Sequence, residues 1–86
     1  MDIEFDTAKD QANRSKHGVS LALGQMVLEH CVADIPDARE YSESRRVAYG
    51  LVAGRLFACV YTMRGDAYRL ISVRKANARE QRRWLR

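Results

Sequence analysis

The sequence predicts one α+β domain, in which helices pack on a β-sheet. Its 86 residues suffice for a single hydrophobic core and not for two, so we treat residues 1–86 as one domain. Apolar residues recur at helical spacing in the N-terminal third. Alternating apolar runs separated by two-residue turns fill most of the second half and predict strands. The expected element order is therefore β-α-α-β-β-β-β-α.

The first elements are a short strand and a helix. Ile3 and Phe5 alternate with charged neighbours, which predicts an opening strand. Asp6 then provides an N-cap for a helix that runs to about Ser15. Gly18 supplies the helix stop.

A second amphipathic helix follows, capped by Ser20 and running to about Glu29. Its apolar face consists of Leu21, Leu23, Met26, Val27 and Leu28. A short strand over 31–35 ends at Pro36, the only proline, which favours an edge strand. The polar segment 37–44 reads as a loop.

Three further strands are predicted near 45–52, 55–62 and 67–74. Ala53-Gly54 and Gly65-Asp66 form the tight turns between them. The middle strand is apolar on both faces, as expected at the centre of a sheet. We therefore expect a consecutive antiparallel meander.

Two-residue turns also fix the register of these strands. One face then carries an apolar platform of two rows, which are Tyr49–Ala58–Val73 and Val47–Val60–Ile71. The next row on that face is Arg45–Thr62–Arg69, with Arg64 and Glu43 beyond it. We expect both N-terminal helices to cover the platform, and a basic helix over 76–85 to close the chain.

The charge of the chain favours an anionic partner. The formal net charge is +4, the pI is about 9.4, and twelve of the fifteen basic residues are arginine. Arginine grips phosphate with two hydrogen bonds and stacks on bases, which points to RNA. A solvated basic surface and an acidic protein partner are the alternatives.

Other function classes find little support in the sequence. Cys31 and Cys59 lack a CxxC spacing and read as free thiols of a cytoplasmic protein. With His17 and His30 they form no metal-ligand spacing, so we expect neither metal nor cofactor. The N-terminus lacks the apolar segment of a signal peptide, and no apolar run is long enough to span a membrane.

Two groups of residues could carry chemistry. Arg45 and Arg69 lie in one predicted row, where like charges repel, and a phosphate site would justify that arrangement. An ion-pair network with Glu43 is the alternative. Lys16 and His17 close the first helix, where cations favour the helix dipole. His17 is also suited to proton transfer near neutral pH.

The residues also resemble those of the BrnT family of bacterial ribonuclease toxins. The segments that carry this resemblance, in order, are Phe5-Asp6-x-x-Lys9, Asn13-x-x-Lys16-His17-Gly18-Val19, Glu43-x-Arg45, Tyr61-Thr62-x-Arg64 and Arg69-x-Ile71-Ser72-x-Arg74-Lys75-Ala76 with Glu80. The resemblance implies a RelE-like fold and a toxin of a type II toxin–antitoxin system that cleaves RNA and inhibits translation. It also implies a BrnA-like antitoxin partner in a hetero-oligomer, with operator DNA bound only through that complex.

Combined with the predicted register, the resemblance assigns roles to single residues. Arg64 and Arg69 would stabilise charge on the phosphate in flight. Glu43 or His17 would act as base or acid, and Lys16 would bind phosphate. RNA contacts would come from Arg45, Arg74 and Lys75. The alternative function is a non-catalytic RNA- or DNA-binding module, or an inactivated toxin that acts as co-repressor.

Overall fold

A computed structural model describes residues 1–39 and 43–85. Within them the element order matches the predicted one. A single 3-10 turn, Leu21–Leu23, precedes the second helix. The strands are β1 (Asp2–Glu4), β2 (Cys31–Pro36), β3 (Arg46–Val52), β4 (Arg55–Arg64) and β5 (Ala67–Lys75), and the helices are α1 (Thr7–His17), α2 (Gly24–Glu29) and α3 (Ala78–Trp84).

The five strands form one sheet in the order β1-β5-β4-β3-β2. The strands from β2 to β5 are antiparallel, as predicted, whereas β1 pairs parallel to β5. The prediction of an entirely antiparallel sheet was therefore wrong. Hairpin turns dictate the direction of β3, β4 and β5. No turn constrains β1, because most of the sequence separates it from its partner strand β5.

Helix α1 begins where the sequence predicts and extends to His17, beyond the predicted end near Ser15. The Asp6 side chain accepts hydrogen bonds from the backbone N–H groups of Ala8 and Lys9. Gly18 ends the helix in the left-handed region at φ 76°, which a glycine adopts without steric cost.

The helix also covers an open strand edge. Beyond Glu4, no other strand of the described residues pairs with β5 on its β1 side. The buried Asn13 amide donates to the Val73 carbonyl at 2.9 Å and accepts from the Val73 N–H at 3.1 Å. One side chain thus replaces a residue of a neighbouring strand and fixes α1 beside β5.

The second helix packs unusually close to the sheet. A Cβ placed on Gly50 in β3 would lie 2.1 Å from the Val27 carbonyl oxygen of α2. A Cβ on Gly24 would lie 2.7 Å from Leu70 Cδ1. The two glycines therefore allow α2 to approach β3, β4 and β5 closely.

The register is confirmed for one hairpin and wrong for half of the other. Val52 pairs with Arg55 and Val47 with Val60, as predicted. Between β4 and β5 the predicted pairs hold from the turn as far as Thr62 and Arg69. A bulge then intervenes, so that Val60 pairs with Ser72 and Ala58 with Arg74, instead of with Ile71 and Val73.

Two hydrophobic clusters fill opposite faces of the sheet. One contains Leu21 and Val27 together with Ala48, Val52, Phe57, Cys59, Tyr61, Leu70 and Val73. The other contains Val47, Tyr49, Leu56, Ala58, Val60 and Ala76, flanked by Ala33, Ile35, Ile71 and Trp84.

The helix placement predicted from the sequence was therefore wrong. Val47, Val60 and Ile71 do share a face, but the residues of the 3-10 turn and α2 pack on the other one. Trp84 of α3 packs on the Val47 face and leaves part of it open. In the described residues no helix is both long and apolar enough to cross a membrane.

Candidate active site

A cavity of about 580 Å³ opens on the sheet face that the N-terminal helices leave uncovered. Its floor is the apolar platform of β3, β4 and β5, and its walls come from α1, the end of β2 and the segments next to β3. The lining residues are Lys16, His17, Ile35, Pro36, Asp37, Ala38, Arg39, Arg45, Val47, Tyr49, Val60, Ile71, Ser72 and Arg74. Among the described residues of this lining, five side chains are cationic or can become so and one, Asp37, is acidic.

The C-terminus of α1 contributes Lys16 and His17. Both side chains also line a smaller adjoining depression of about 270 Å³, together with Arg45, Ile71 and Ser72. The Asn13 link to β5 explains this placement, because it sets the last turn of α1 beside the bulge.

The electrostatics of the cavity act on His17. Partial burial lowers the pKa of its imidazole below 6.5, and the positive charges of Lys16 and Arg74 lower it further. Near neutral pH the ring is therefore predominantly neutral, and a neutral imidazole accepts a proton.

Arg45 reaches the cavity from the segment just before β3, and two hydrogen bonds to carbonyl groups of this segment hold it in place. The Asp37 N–H donates to the Arg45 carbonyl at 2.9 Å, and the Thr62 hydroxyl donates to the Ser44 carbonyl at 2.6 Å. The predicted Arg45–Thr62 strand pair is thus replaced by a side-chain contact one residue earlier. The guanidinium of Arg45 lies 3.7 Å from Glu43, as the ion-pair alternative proposed.

Two further lining side chains, Tyr49 and Arg74, belong to a hydrogen-bonded cluster centred on Glu80 of α3. Arg74 binds its carboxylate through both terminal nitrogens at 2.7 and 2.9 Å, and the Tyr49 hydroxyl donates to it at 2.7 Å. Glu80 also completes a capping box with Asn77 at the start of α3. One carboxylate therefore fixes a helix terminus and two side chains that line the cavity.

These contacts shift the ionisation of all three groups. Hydrogen bonds from Arg74 lower the pKa of Glu80 to about 2. Burial and the Glu80 carboxylate raise the pKa of Tyr49 to about 12, and the Glu80 hydrogen bonds raise the pKa of Arg74. At neutral pH the cluster contains a fixed cation, a fixed anion and a neutral phenol.

The bulge decides which side of the sheet Arg74 faces. In an uninterrupted register Val73 would point to the cavity and Arg74 to the helices. Ile71 is the extra residue, and it reverses the alternation, so that Val73 is fully buried in the helix-side core while Arg74 lines the cavity. Bulges commonly redirect a side chain in this way beside functional sites.

The remaining predicted residues lie outside the cavity lining. Arg64 is exposed at the end of β4, on the cavity face by alternation. Arg69 pairs with Thr62 across the strands and lies 3.9 Å from Glu4. Glu43 lines a separate small depression with Thr62. Lys75 is exposed at the end of β5 and points to the opposite face from Arg74.

The structure thus brings together Lys16, His17, Arg45 and Arg74 of the predicted set, and places Arg64 and Arg69 further along the same face. The sequence prediction gave Tyr49 a place in the apolar platform but no polar role. Tyr49 lies thirty-one residues before Glu80, so no local sequence pattern indicated their hydrogen bond. In residues 1–39 and 43–85 no group of three or more His, Cys, Asp or Glu side chains is placed to hold a metal ion.

Comparison with known protein families places this site in context. The family described as ribonuclease toxin, BrnT, of type II toxin–antitoxin systems matches residues 5–80 of the chain. The chain belongs to the BrnT family. Comparison with curated protein sequences finds no match.

The family match covers nearly every element of the fold, from the residue before the α1 cap to Glu80. A BrnT protein is the ribonuclease toxin of a type II pair, so a protein antitoxin is the partner that membership implies. The family assignment confirms the toxin class that the sequence resemblance implied.

Proposed function

We propose that this BrnT protein cleaves RNA in the cationic cavity by attack of a ribose 2′-hydroxyl on the adjacent phosphate. The observation that carries the proposal is the convergence of Lys16, His17, Arg45 and Arg74 from three separate segments on one cavity. Cations held in fixed positions by the fold stabilise the negative charge that develops on the phosphate in the transition state. The ribonuclease toxin family supplies the reaction class.

The proposed reaction needs one proton acceptor and several cations. His17 takes the proton of the 2′-hydroxyl, since its lowered pKa leaves the imidazole neutral. The 2′ oxygen forms a bond to phosphorus, the bond to the 5′ oxygen breaks, and that oxygen takes a proton from water. Protonated His17 then returns its proton to the resulting hydroxide. The products are a 2′,3′-cyclic phosphate and a 5′-hydroxyl.

Three cavity side chains share the phosphate charge in this proposal. Arg74 is oriented by Glu80, Arg45 is positioned by the hydrogen-bonded segment before β3, and Lys16 projects from the last turn of α1. Arg64 and Arg69 extend the cationic face beyond Thr62 and are proposed to hold charge there. We propose that the reaction needs no metal ion, because fixed cations supply the charge stabilisation that a metal ion would otherwise provide.

Several finer features come from the family resemblance and stay part of the proposal. We propose a RelE-like arrangement and a cytoplasmic toxin that inhibits translation. We also propose that a BrnA-like antitoxin neutralises it in a hetero-oligomer.

Incubation of the purified protein with RNA in EDTA tests the proposal. We expect fragments with 2′,3′-cyclic phosphate ends, and no cleavage of a substrate with 2′-deoxyribose at the cleavage site. His17→Ala should reduce cleavage by roughly 10²–10⁴-fold. His30→Ala, at an exposed histidine after α2, is the matched control and should cleave normally.

Two outcomes would refute parts of this proposal. Activity that disappears in EDTA and returns with magnesium would contradict the metal-free reaction. RNA binding without cleavage under all conditions would favour the non-catalytic binding module.

A further inference from the structure

The C-terminal end of the molecule carries a second group of cations, separate from the cavity. Arg79, Arg82 and Arg83 are exposed on α3, and Lys75 and Arg55 lie at the strand ends where that helix begins. Arg55 is tied to this end through a hydrogen bond to the Ala76 carbonyl at 3.2 Å. We call these five residues the α3 basic surface.

No acidic side chain balances the α3 basic surface in the described part of the chain. Residues 51–85 contain eight basic residues and two acidic ones, Asp66 and Glu80. Glu80 is already bound by Arg74 and Tyr49, and Asp66 lies in the turn between β4 and β5. Elsewhere the arginines of the described residues 1–50 each form an ion pair with a carboxylate.

The helical part of the α3 basic surface adjoins the cavity. Trp84 of α3 packs against Tyr49, which lines the cavity, with ring centroids 5.7 Å apart. Arg83 lies over the Trp84 ring at 4.5 Å, which holds its guanidinium at this boundary. Glu80 links the same helix to Arg74. A strand that leaves the cavity beside Tyr49 therefore meets α3 directly.

We propose that the α3 basic surface binds the phosphate backbone of the RNA strand as it leaves the cavity. The cavity has the volume of a pocket for one small molecule, so most of a longer RNA must lie outside it. Exposed arginines along its exit provide a sequence-independent contact to successive phosphates. The inference rests on the proposed function, because RNA must be the occupant of the cavity.

The proposal predicts a contribution that depends on RNA length. Arg79→Ala/Arg82→Ala removes two contacts and places a good helix former at both positions. We expect weaker binding and a higher KM for an unstructured RNA of about 20 nucleotides. A trinucleotide, which only fills the cavity, should be cleaved at the unmodified rate.

The salt dependence of binding provides the sharpest measurement. Each lost contact with single-stranded RNA should reduce the slope of log K against log salt by about 0.7 in magnitude. The loss of two contacts should therefore reduce the slope for the longer RNA by about 1.4. The matched control is Gln11→Glu/Gln25→Glu, which changes the net charge equally at exposed positions outside both depressions. Its slope should remain that of the unmodified protein.

The possible outcomes separate this proposal from the proposed function. Normal binding of the longer RNA by Arg79→Ala/Arg82→Ala would overturn the α3 basic surface as an RNA contact. Loss of antitoxin neutralisation with unchanged RNA binding would also overturn it and assign the surface to the antitoxin. If the unmodified protein binds RNA with the expected salt slope but never cleaves it, the α3 basic surface is supported as an RNA contact and the nuclease proposal is refuted.

Discussion

At the scale of single residues, His17 is distinguished by the charges around its imidazole. Lys16 and Arg74 both disfavour the protonated ring, and partial burial acts in the same direction. An ordinary helix-terminal histidine would be stabilised in its charged form by the helix dipole. The cavity therefore favours the form of His17 that accepts protons.

This electrostatic arrangement predicts the acid limb of the cleavage profile. If neutral His17 is the base, activity falls as the pH drops through its pKa, so the midpoint should lie below 6.5. Lys16→Gln removes one neighbouring charge and should raise that midpoint, whatever it does to the maximal rate. The measurement is single-turnover cleavage between pH 4.5 and 8. A midpoint that stays fixed in Lys16→Gln would exclude His17 as the titrating group.

The exposed Arg64 allows a second test at this scale. Arg64→Ala should lower cleavage by about 10²-fold or more through loss of a phosphate contact. Its exposed position limits the effect on stability to about 0.5 kcal/mol. Arg64→Lys should rescue poorly, since an ammonium cannot form the paired hydrogen bonds of a guanidinium.

A matched control for Arg64 is available on α1. Arg14 is exposed, and within residues 1–39 and 43–85 its side chain pairs with Asp10 on its own helix, so Arg14→Ala should cleave normally. Full activity of folded Arg64→Ala would restrict the charge-stabilising set to the cavity side chains. A lowered melting temperature with unchanged activity would assign Arg64 a structural role.

The residues of the candidate site were predictable to very different degrees. Lys16 and His17 were found because Gly18 marks the end of α1 and fixes them at one place. Arg74 was predicted to be an RNA contact, but the predicted register placed it on the wrong face, because strict alternation cannot anticipate the extra residue Ile71. Leu70 and Val73 are both buried on the same face. Their spacing does not fit the two-residue repeat of a regular strand, and it was the one sign of a bulge in the sequence.

At the scale of elements, α3 depends on one carboxylate. Glu80 closes the capping box and binds Arg74 and Tyr49, so its negative charge supports both the helix start and its docking. The helix has only seven residues, too few to be stable without tertiary contacts. The position of α3 therefore follows from this cluster and from the Trp84 contact.

The ionisation of Glu80 makes this docking sensitive to acid. Its pKa is about 2 in the folded protein and about 4.5 in the unfolded chain, so its contribution is complete above 4.5 and is lost as the pH falls toward 2. Glu80→Gln should lower stability at pH 7 by about 1–2 kcal/mol and flatten this part of the acid profile. Urea unfolding from pH 2 to 7 measures both effects.

The control for the acid profile is Glu29→Gln. This exposed carboxylate at the end of α2 has no hydrogen bond or ion pair to other described residues, so its replacement should leave the profile unchanged. Identical profiles for the unmodified protein and Glu80→Gln would show that another group controls acid unfolding.

The contact between α2 and β3 gives a further prediction at this scale. Gly50→Ala places a methyl group 2.1 Å from the Val27 carbonyl oxygen, which is backbone and cannot rotate away. We expect a loss of about 1–3 kcal/mol or more, measured from the urea midpoint. Leu51→Ala, at the adjacent exposed position, should lose less. Equal losses in the two variants would contradict the close approach.

Strand order along the meander was predictable, while helix placement was not. The turn dipeptides Ala53-Gly54 and Gly65-Asp66 fixed the β3–β4 register and the start of the next hairpin. Because β4 is apolar on both faces, hydrophobic pattern alone could not tell which face α2 covers. The decisive feature was the smallness of Gly24 and Gly50, which permits close packing on only one side.

At the scale of the whole molecule, charge is unevenly divided along the chain. Residues 1–50 contain six basic and nine acidic residues, whereas 51–86 contain nine basic and two acidic ones. In the part of the chain that the structure describes, this excess of cations lies on β4, β5 and α3. A polyanion would therefore approach this side of the molecule preferentially.

The toxin assignment leads to a prediction for the protein in cells. Expression of the unmodified chain should arrest growth, and co-expression of its antitoxin should relieve the arrest, because the antitoxin of a type II pair is a protein that binds the toxin. Lys16→Ala/His17→Ala should accumulate normally without arresting growth, since Lys16 is exposed and His17 only partly buried.

The comparison variant for this experiment is Gln25→Glu/His30→Ala. It also removes one histidine and lowers the net charge by one, at exposed positions away from the cavity, so it should arrest growth like the unmodified protein. Arrest by Lys16→Ala/His17→Ala at equal protein levels would show that toxicity does not depend on the cavity. If the unmodified protein causes no arrest, yet binds the antitoxin and RNA, the co-repressor function is favoured, because binding would then persist without cleavage.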